Sequence, residues 1–337
     1  MPTSDLGSTL NTVKGRPKGG PSLCFTDISE LTITRRKFGK SWGYFNESGA
    51  RIRNNAEVNR LNAIGLPPAY LNARFNPDRE GHIQAIGTDA RGRRQYRYHV
   101  EFRASQEAAK FALCSTFGAS LPSLRKNLDV GLNSDPTSRD AVISAIVRIL
   151  DTAYLRIGNE VYRKTNKSFG LTTLRNRHAR VKGKALNLQY RGKGGIERTV
   201  RLNDRSLLRI VRRCQDLPGQ HLFQYRNDSD AIRPVTSNDV NAYLRENMHE
   251  DFTAKHFRTW HASVIAFDHL QAGSTAKETL DAVSTALGNT PAIARKSYIH
   301  PQLLEADAGQ LQKLRRPRAT KYLSSAERGF LNWLVSQ

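Results

Sequence analysis

Apolar and polar positions change rhythm along this chain. From about residue 23 to 100 the text is strand-like. Leu31, Ile33 and Thr34 lead into a basic patch of Arg35, Arg36 and Lys37. His82-Ile83-Gln84-Ala85-Ile86-Gly87 predicts a strand, Asp89-Ala90-Arg91-Gly92 a turn and Gln95-Tyr96-Arg97-Tyr98 the returning strand, which together make a β-hairpin. A short helix is expected over Pro67–Leu71. Phe102 to Phe111 reads as a helical join, and the chain then turns helical. Residues 138–163 carry Val142, Ile146, Ile149, Ala153 and Ile157 at spacings of three and four, the stripe of one amphipathic helix. Thr137 and Asp140 offer it a capping box. Arg156 then falls beside the stripe, near the helix end.

A strand-like island runs from about Ala179 to Leu202, with turns at Gly183-Lys184 and at Arg191-Gly192-Lys193-Gly194-Gly195. Leu186, Leu188 and Tyr190 alternate before the second turn, and Ile196, Val200 and Leu202 keep that parity after it. This predicts a three-stranded meander with Lys193 at a glycine-rich tip. Helical text resumes near Arg205 and runs, with breaks, to the C-terminus. No internal repeat is visible. The expected fold class is α+β. Residues 1–22, rich in Gly, Pro, Ser and Thr, read as a flexible tail. A small β-rich domain over 23–101 precedes a larger, mainly helical domain over 102–337.

Charge narrows the partner. Across 337 residues Lys and Arg number 53 against 30 Asp and Glu, a net +23. Such a surplus repels itself unless it meets a polyanion. An anionic membrane would draw basic residues onto one amphipathic helix. Here they are spread along the whole chain, which favours nucleic acid. Cys24, Cys114 and Cys214 are far apart and in no metal-ligand spacing, so neither a disulfide frame nor a zinc site is expected. The first residues lack the apolar core of a secretory signal, and no apolar run approaches membrane-spanning length. The expected location is cytoplasmic.

Familiar catalytic patterns are missing. There is no Walker A pattern, no H-E-x-x-H and no G-x-S-x-G. No compact carboxylate cluster suits a catalytic Mg²⁺. Phosphodiester chemistry would then fall to Arg and Lys aimed at the phosphate. Four places supply candidates: Arg156 in Leu155-Arg156-Ile157-Gly158-Asn159-Glu160; Lys193 in its glycine-rich turn; Lys255-His256-Phe257-Arg258-Thr259-Trp260; and Leu287-Gly288-Asn289-Thr290-Pro291 followed by Arg295-Lys296-Ser297-Tyr298-Ile299-His300-Pro301. Each also has a plain structural reading: surface arginine, solvated hairpin lysine, helix start over a buried Phe257 and Trp260, half-buried core tyrosine.

In their order and spacing, these motifs resemble the active site of type IB DNA topoisomerases of the small bacterial and poxvirus-like kind. Residues 82–99 are similar to the DNA-gripping domain of the bacterial members. The resemblance implies a two-domain clamp on duplex DNA, acting as a monomer without ATP, metal or other cofactor, associated with the nucleoid. It implies Tyr298 as nucleophile, Arg156 and Arg258 on the non-bridging oxygens and Lys193 as the acid for the 5′-oxygen. Asn289 stands where many members carry histidine and keeps one neutral hydrogen-bond donor there. Gln95, Tyr96 and Tyr98 would meet DNA, with Arg91, Arg93, Arg94, Arg97 and Lys255 adding positive charge. Tyr96 and Tyr98 also read as a strand pair packed on the core. Tyrosine recombinases use a similar residue set, but with His-x-x-Arg in place of Lys255-x-x-Arg258 and a helical N-terminal half. A basic DNA-binding protein without catalysis is the third reading.

Overall fold

In the computed structural model, which describes residues 23–38, 41–90, 92–248 and 251–337, the chain divides into two units between Ser105 and Gln106. The expected tail over 1–22 lies outside the described residues. The first unit holds β1 (Ile33–Phe38), β2 (Ser41–Phe45), α1 (Asn55–Ala63), β3 (Leu71–Phe75), β4 (Ile83–Thr88) and β5 (Arg94–Tyr98). The strands form one antiparallel sheet in the order β2-β1-β3-β4-β5. Its core gathers Ile33, Tyr44, Leu61, Phe75 and Ala85. The hairpin at 82–98 forms as read, with Ile86 opposite Tyr96 and Thr88 opposite Arg94.

The helix expected at Pro67–Leu71 is absent. Residues 67–70 are a turn, closed by Tyr70 N–H donating to Pro67 O at 3.1 Å. Pro68 has no N–H, and the residue before a proline is pushed out of the helical region. The helix lies earlier, at α1, where the Asn54 side chain accepts from the Ala56 and Glu57 amides. Only Leu61 is buried in it, so it carries no apolar stripe.

Helix α2 (Val100–Ala112) carries the chain across the division. Then follow α3 (Cys114–Asn133) and α4 (Arg139–Ala153). On α4, Val142, Ile143, Ile146, Val147, Ile149 and Leu150 are all fully buried, each contributing roughly 1.5–3 kcal/mol relative to exposure. Its cap is Ser138, which accepts from Ala141 N at 3.2 Å, and not Thr137, whose hydroxyl turns to Asp135.

The expected single helix over 138–163 is two. Tyr154 adopts a left-handed conformation, φ 56°, and ends α4. A loop follows before α5 (Glu160–Asn166). The apolar stripe ran past the break because Leu155 is buried from the loop and Ile157 packs on the same core. Arg156 therefore sits on this loop and not on a helix. Main-chain bonds fix it: Leu171 N–H donates to Arg156 O at 3.0 Å and Thr172 N–H to Ile157 O at 2.7 Å.

The meander forms as β6 (Ala179–Lys182), β7 (Ala185–Arg191) and β8 (Glu197–Leu202). Leu186 faces Leu202, Leu188 faces Val200 and Tyr190 faces Arg198. Ile196 lies outside the strands and is exposed. After α6 (Arg205–Asp216), a two-stranded hairpin, β9 (Gln224–Arg226) and β10 (Ile232–Pro234), interrupts the helical text. Then come α7 (Ser237–Met248), α8 (Ala254–Gln271), α9 (Ala276–Leu287), α10 (Pro291–Ser297), α11 (Pro301–Glu305), α12 (Ala308–Lys313) and α13 (Ser325–Val335).

Helix α8 is the axis of this unit. Phe257, Trp260, Ala262, Ala266 and Phe267 are fully buried along it. Three titratable groups, Asp151, His261 and Glu327, are buried with them, and Arg125 is half-buried beside them. Arg125 of α3 bonds Asp151 of α4 (2.8 Å) and Glu327 of α13 (2.6 Å). His261 of α8 reaches Asp151 at 2.9 Å. A buried charge survives only when partnered in this way. Burial pushes the Asp151 carboxyl up, but His261 and Arg125 outweigh it and hold it well below the usual carboxylate range. Glu327 is lowered too, burial being outweighed by Arg125.

Candidate active site

Arg258 stands in the early part of α8 and is 3% exposed. A guanidinium that deep needs acceptors, and the main chain supplies them. Nη1 donates to Tyr154 O, and Nη2 to Leu287 O at 3.0 Å. The left-handed turn at Tyr154 and the end of α9 thus meet on one side chain. Its Nε has no partner. Burial, and then repulsion from Arg156 and Arg198, lower its pKa to about 10, so it stays charged at neutral pH.

The Arg258 guanidinium lies 4.9 Å above the Tyr298 ring. Helix α10 begins as its sequence requires. Thr290 accepts from Ile293 N and Pro291 takes the first helical position. Tyr298 follows the last helical residue, Ser297, and its surroundings fix it from both sides. Lys110 Nζ donates to Ser297 O at 2.7 Å. Ser263 Oγ lies 3.3 Å from Tyr298 O and accepts from His300 N–H at 2.9 Å. Burial pushes the Tyr298 phenol up, but the charges of Arg258 and Arg156 outweigh it and leave its pKa below the ordinary value.

Arg156 Nη2 donates to Asn289 Oδ1 at 2.6 Å. The amide's other end, Nδ2, is buried without a partner. Such an orphan is costly unless something arrives to accept from it. Lys193 is exposed at the β7–β8 turn and lines one cleft with Arg156, Arg198 and Arg258. None of the described residues lining that cleft is acidic.

The structure thus brings together Arg156, Lys193 and Arg258, with Tyr298 joined through Arg258 and Asn289 through Arg156. Lys255, on the first turn of α8, is exposed and does not line the cleft. Arg198, Lys110 and Ser263 were missed in the sequence. For Arg198 one signal existed: the meander's parity sets it opposite Tyr190, five residues past Lys193.

The N-terminal candidates split by strand face. On β5, Arg94, Tyr96 and Tyr98 are exposed, and Gln95 and Arg97 alternate with them. Tyr96 and Tyr98 stack at 6.0 Å, both exposed, with Tyr98 also against Phe102 at 5.6 Å, and neither belongs to the buried core of the unit. Gln95 Nε2 donates to Asp89 at 3.0 Å, Arg93 pairs with Asp89 at 2.6 Å and Arg97 donates to Gly65 O at 3.1 Å. Arg91 lies outside the described residues.

Comparison with known proteins bears on both units. Residues 99–316 match the family described as eukaryotic DNA topoisomerase I, catalytic core. Residues 41–89 match bacterial DNA topoisomerase IB, N-terminal domain. Similar proteins include DNA topoisomerase 1B of Acanthamoeba polyphaga mimivirus, 30% identical over 81% of this chain and 86% of the relative. DNA topoisomerase 1B of Vaccinia virus (strain Copenhagen) is 23% identical over 65% of this chain and 71% of the relative.

Proposed function

The chain belongs to the type IB DNA topoisomerase family, and on that premise we propose that Tyr298 is the nucleophile by which it nicks and reseals one strand of duplex DNA. The phenolic oxygen loses its proton to solvent, helped by the charges of Arg258 and Arg156, and attacks the scissile phosphorus; the bond to the 5′-oxygen breaks, and a 3′-phosphotyrosyl link remains. Arg258 and Arg156 hold the non-bridging oxygens as negative charge builds. Lys193 protonates the departing 5′-oxygen, a poor leaving group without an acid. Asn289 adds a neutral donor through Nδ2. The link stores the bond energy, so after strand rotation the 5′-hydroxyl attacks back and religates without nucleotide.

The observation that carries this reading is the seating of Arg258 over the Tyr298 ring, with Arg258 also lining, beside Arg156, Lys193 and Arg198, a cleft whose described lining holds no carboxylate. On the N-terminal unit the exposed face of Arg94, Tyr96 and Tyr98 supports a second DNA contact. Gln95, Arg93 and Arg97 shape that strand from its other side. One chain carries every residue of the site, which supports a monomer. The spread of positive charge along the chain supports nucleic acid as the partner, and we place that work on nucleoid DNA in the cytoplasm as part of the same proposal. A recombinase would carry a helical N-terminal half, whereas this unit is built on a sheet.

The test is relaxation of a supercoiled plasmid lacking any recombination site, in EDTA and without nucleotide. Relaxation of both supercoil signs is expected, with a covalent adduct trapped by detergent. Tyr298→Phe keeps DNA affinity and forms no adduct. An absolute need for ATP or Mg²⁺ overturns the mechanism, and wild-type adduct yield from the Phe variant overturns Tyr298.

A further inference from the structure

We propose that Arg198 is a further catalytic residue, donating to a non-bridging oxygen of the scissile phosphate beside Arg156 and Arg258. The inference rests on the reading of the Tyr298 site given above.

Its placement is fixed by the ladder. Arg198 sits on β8 directly opposite Tyr190, one pair in from the turn that carries Lys193. A strand position holds a side chain's direction more firmly than a turn does. Along β8 the exposed and half-buried positions alternate, and Arg198 takes a half-buried one, so it faces the cleft while Glu197 and Thr199 face solvent.

The backbone makes room for it. Gly288 ends α9 with φ +61°, and a Cβ there would stand 1.7 Å from Arg198 Nη1 and 2.6 Å from Cζ. The guanidinium therefore occupies the space that any side chain at 288 would fill. Gly288 lies between Leu287, whose carbonyl seats Arg258, and Asn289, which holds Arg156. Arg198 is thus built into the segment that organises the other two arginines.

The electrostatics ask for an anion. Three guanidiniums and one ammonium share the cleft, and burial, with repulsion from Arg156 and Arg198 added to it, already weakens the hold of Arg258 on its proton. Gathering like charges with no carboxylate among them costs stability in the empty protein. A phosphate gaining charge in the transition state relieves that repulsion, so the arrangement favours the transition state over the ground state.

The test is single-turnover cleavage of a duplex carrying either a normal scissile phosphodiester or a methylphosphonate there, each diastereomer assayed separately. A methyl group in place of one non-bridging oxygen removes its charge. Arg198→Ala should slow cleavage of the phosphodiester by about 10- to 1000-fold, as expected for losing one such donor. Arg198→Lys should recover part of that loss. On one methylphosphonate diastereomer, each variant should cleave within about threefold of wild type, because the oxygen that Arg198 serves is gone. Equal slowing on the phosphodiester and on both diastereomers overturns the proposal, as does normal cleavage of the phosphodiester by Arg198→Ala. Should the Ala variant melt far below wild type, the same comparison on the Lys variant decides. If wild type itself forms no adduct, the failure belongs to the Tyr298 reading and not to Arg198.

Discussion

Replacing Asn289 by alanine should separate catalysis from folding. Its Oδ1 orients Arg156 at 2.6 Å, while Nδ2 is buried and unpartnered in the protein without DNA. A phosphate oxygen reaching Nδ2 would complete the amide's bonding. A hydrogen bond to a charged group contributes about 1.5–3 kcal/mol, so Asn289→Ala should slow single-turnover cleavage by roughly 10- to 150-fold. Stability should hardly change. The helix cap is Thr290, not Asn289, and the Asn289 main-chain N–H keeps its bond to Ser284 O at 3.0 Å. Truncation also removes an orphaned donor, so melting should move by no more than about 2 °C. Asn289→Asp keeps an acceptor for Arg156 but turns a carboxylate toward the phosphate, and should be slower than the alanine variant. Asn289→His restores a donor and should stay within about tenfold of wild type. Cleavage and thermal melting are measured on the same preparations. Wild-type cleavage by Asn289→Ala, or a large melting loss with unchanged cleavage, refutes the reasoning.

Two further outcomes follow from the same geometry. Lys193→Ala should slow cleavage by about 10² to 10⁴ and be rescued by a substrate with sulfur in place of the 5′-bridging oxygen, since sulfur leaves without a proton; equal slowing on both substrates removes Lys193 as the acid. The Asp151 and Glu327 carboxyls are held below their unfolded values, so their contribution is present above the unfolded carboxylate range near pH 4 and is lost as pH falls through their lower folded values. Asp151→Asn should cost about 3 kcal/mol at pH 7, by leaving Arg125 half-partnered, and should flatten the acid limb of melting temperature against pH; an unchanged limb would show that the network does not set acid stability.

The sequence spoke most clearly where one rule acted alone. Alternation and turn residues defined the hairpin ending at Tyr98 and the meander around Lys193. Thr290 and Pro291 marked the start of α10. It misled where two environments share one pattern. Leu155 and Ile157 continue the α4 stripe because a loop can bury apolar side chains as well as a helix can. The turn that stops α4 is a left-handed Tyr154, a residue with no local signal for that conformation. Helix α1 was hidden because it buries one leucine, and the β9–β10 hairpin because its strands are three residues each. Arg198 shares the parity of Val200 and Leu202, but among so many basic residues that one signal was easily passed over. The network of Arg125, Asp151, His261 and Glu327 joins positions up to 202 apart, and no periodicity reports on such pairing.

Arg258 is seated by the carbonyls of Tyr154 and Leu287, and that choice of acceptor shapes how the site can change over generations. A side-chain acceptor disappears with a single codon change. A peptide carbonyl persists through every substitution at its own position, provided the chain keeps its path. Positions 154 and 287 are therefore constrained by packing rather than by chemistry, Tyr154 through its ring against His261 and Leu287 through complete burial. Drift is filtered by packing at both positions and, at 154, also by the left-handed turn of the backbone, and Arg258 keeps its acceptors while the letters around it are exchanged.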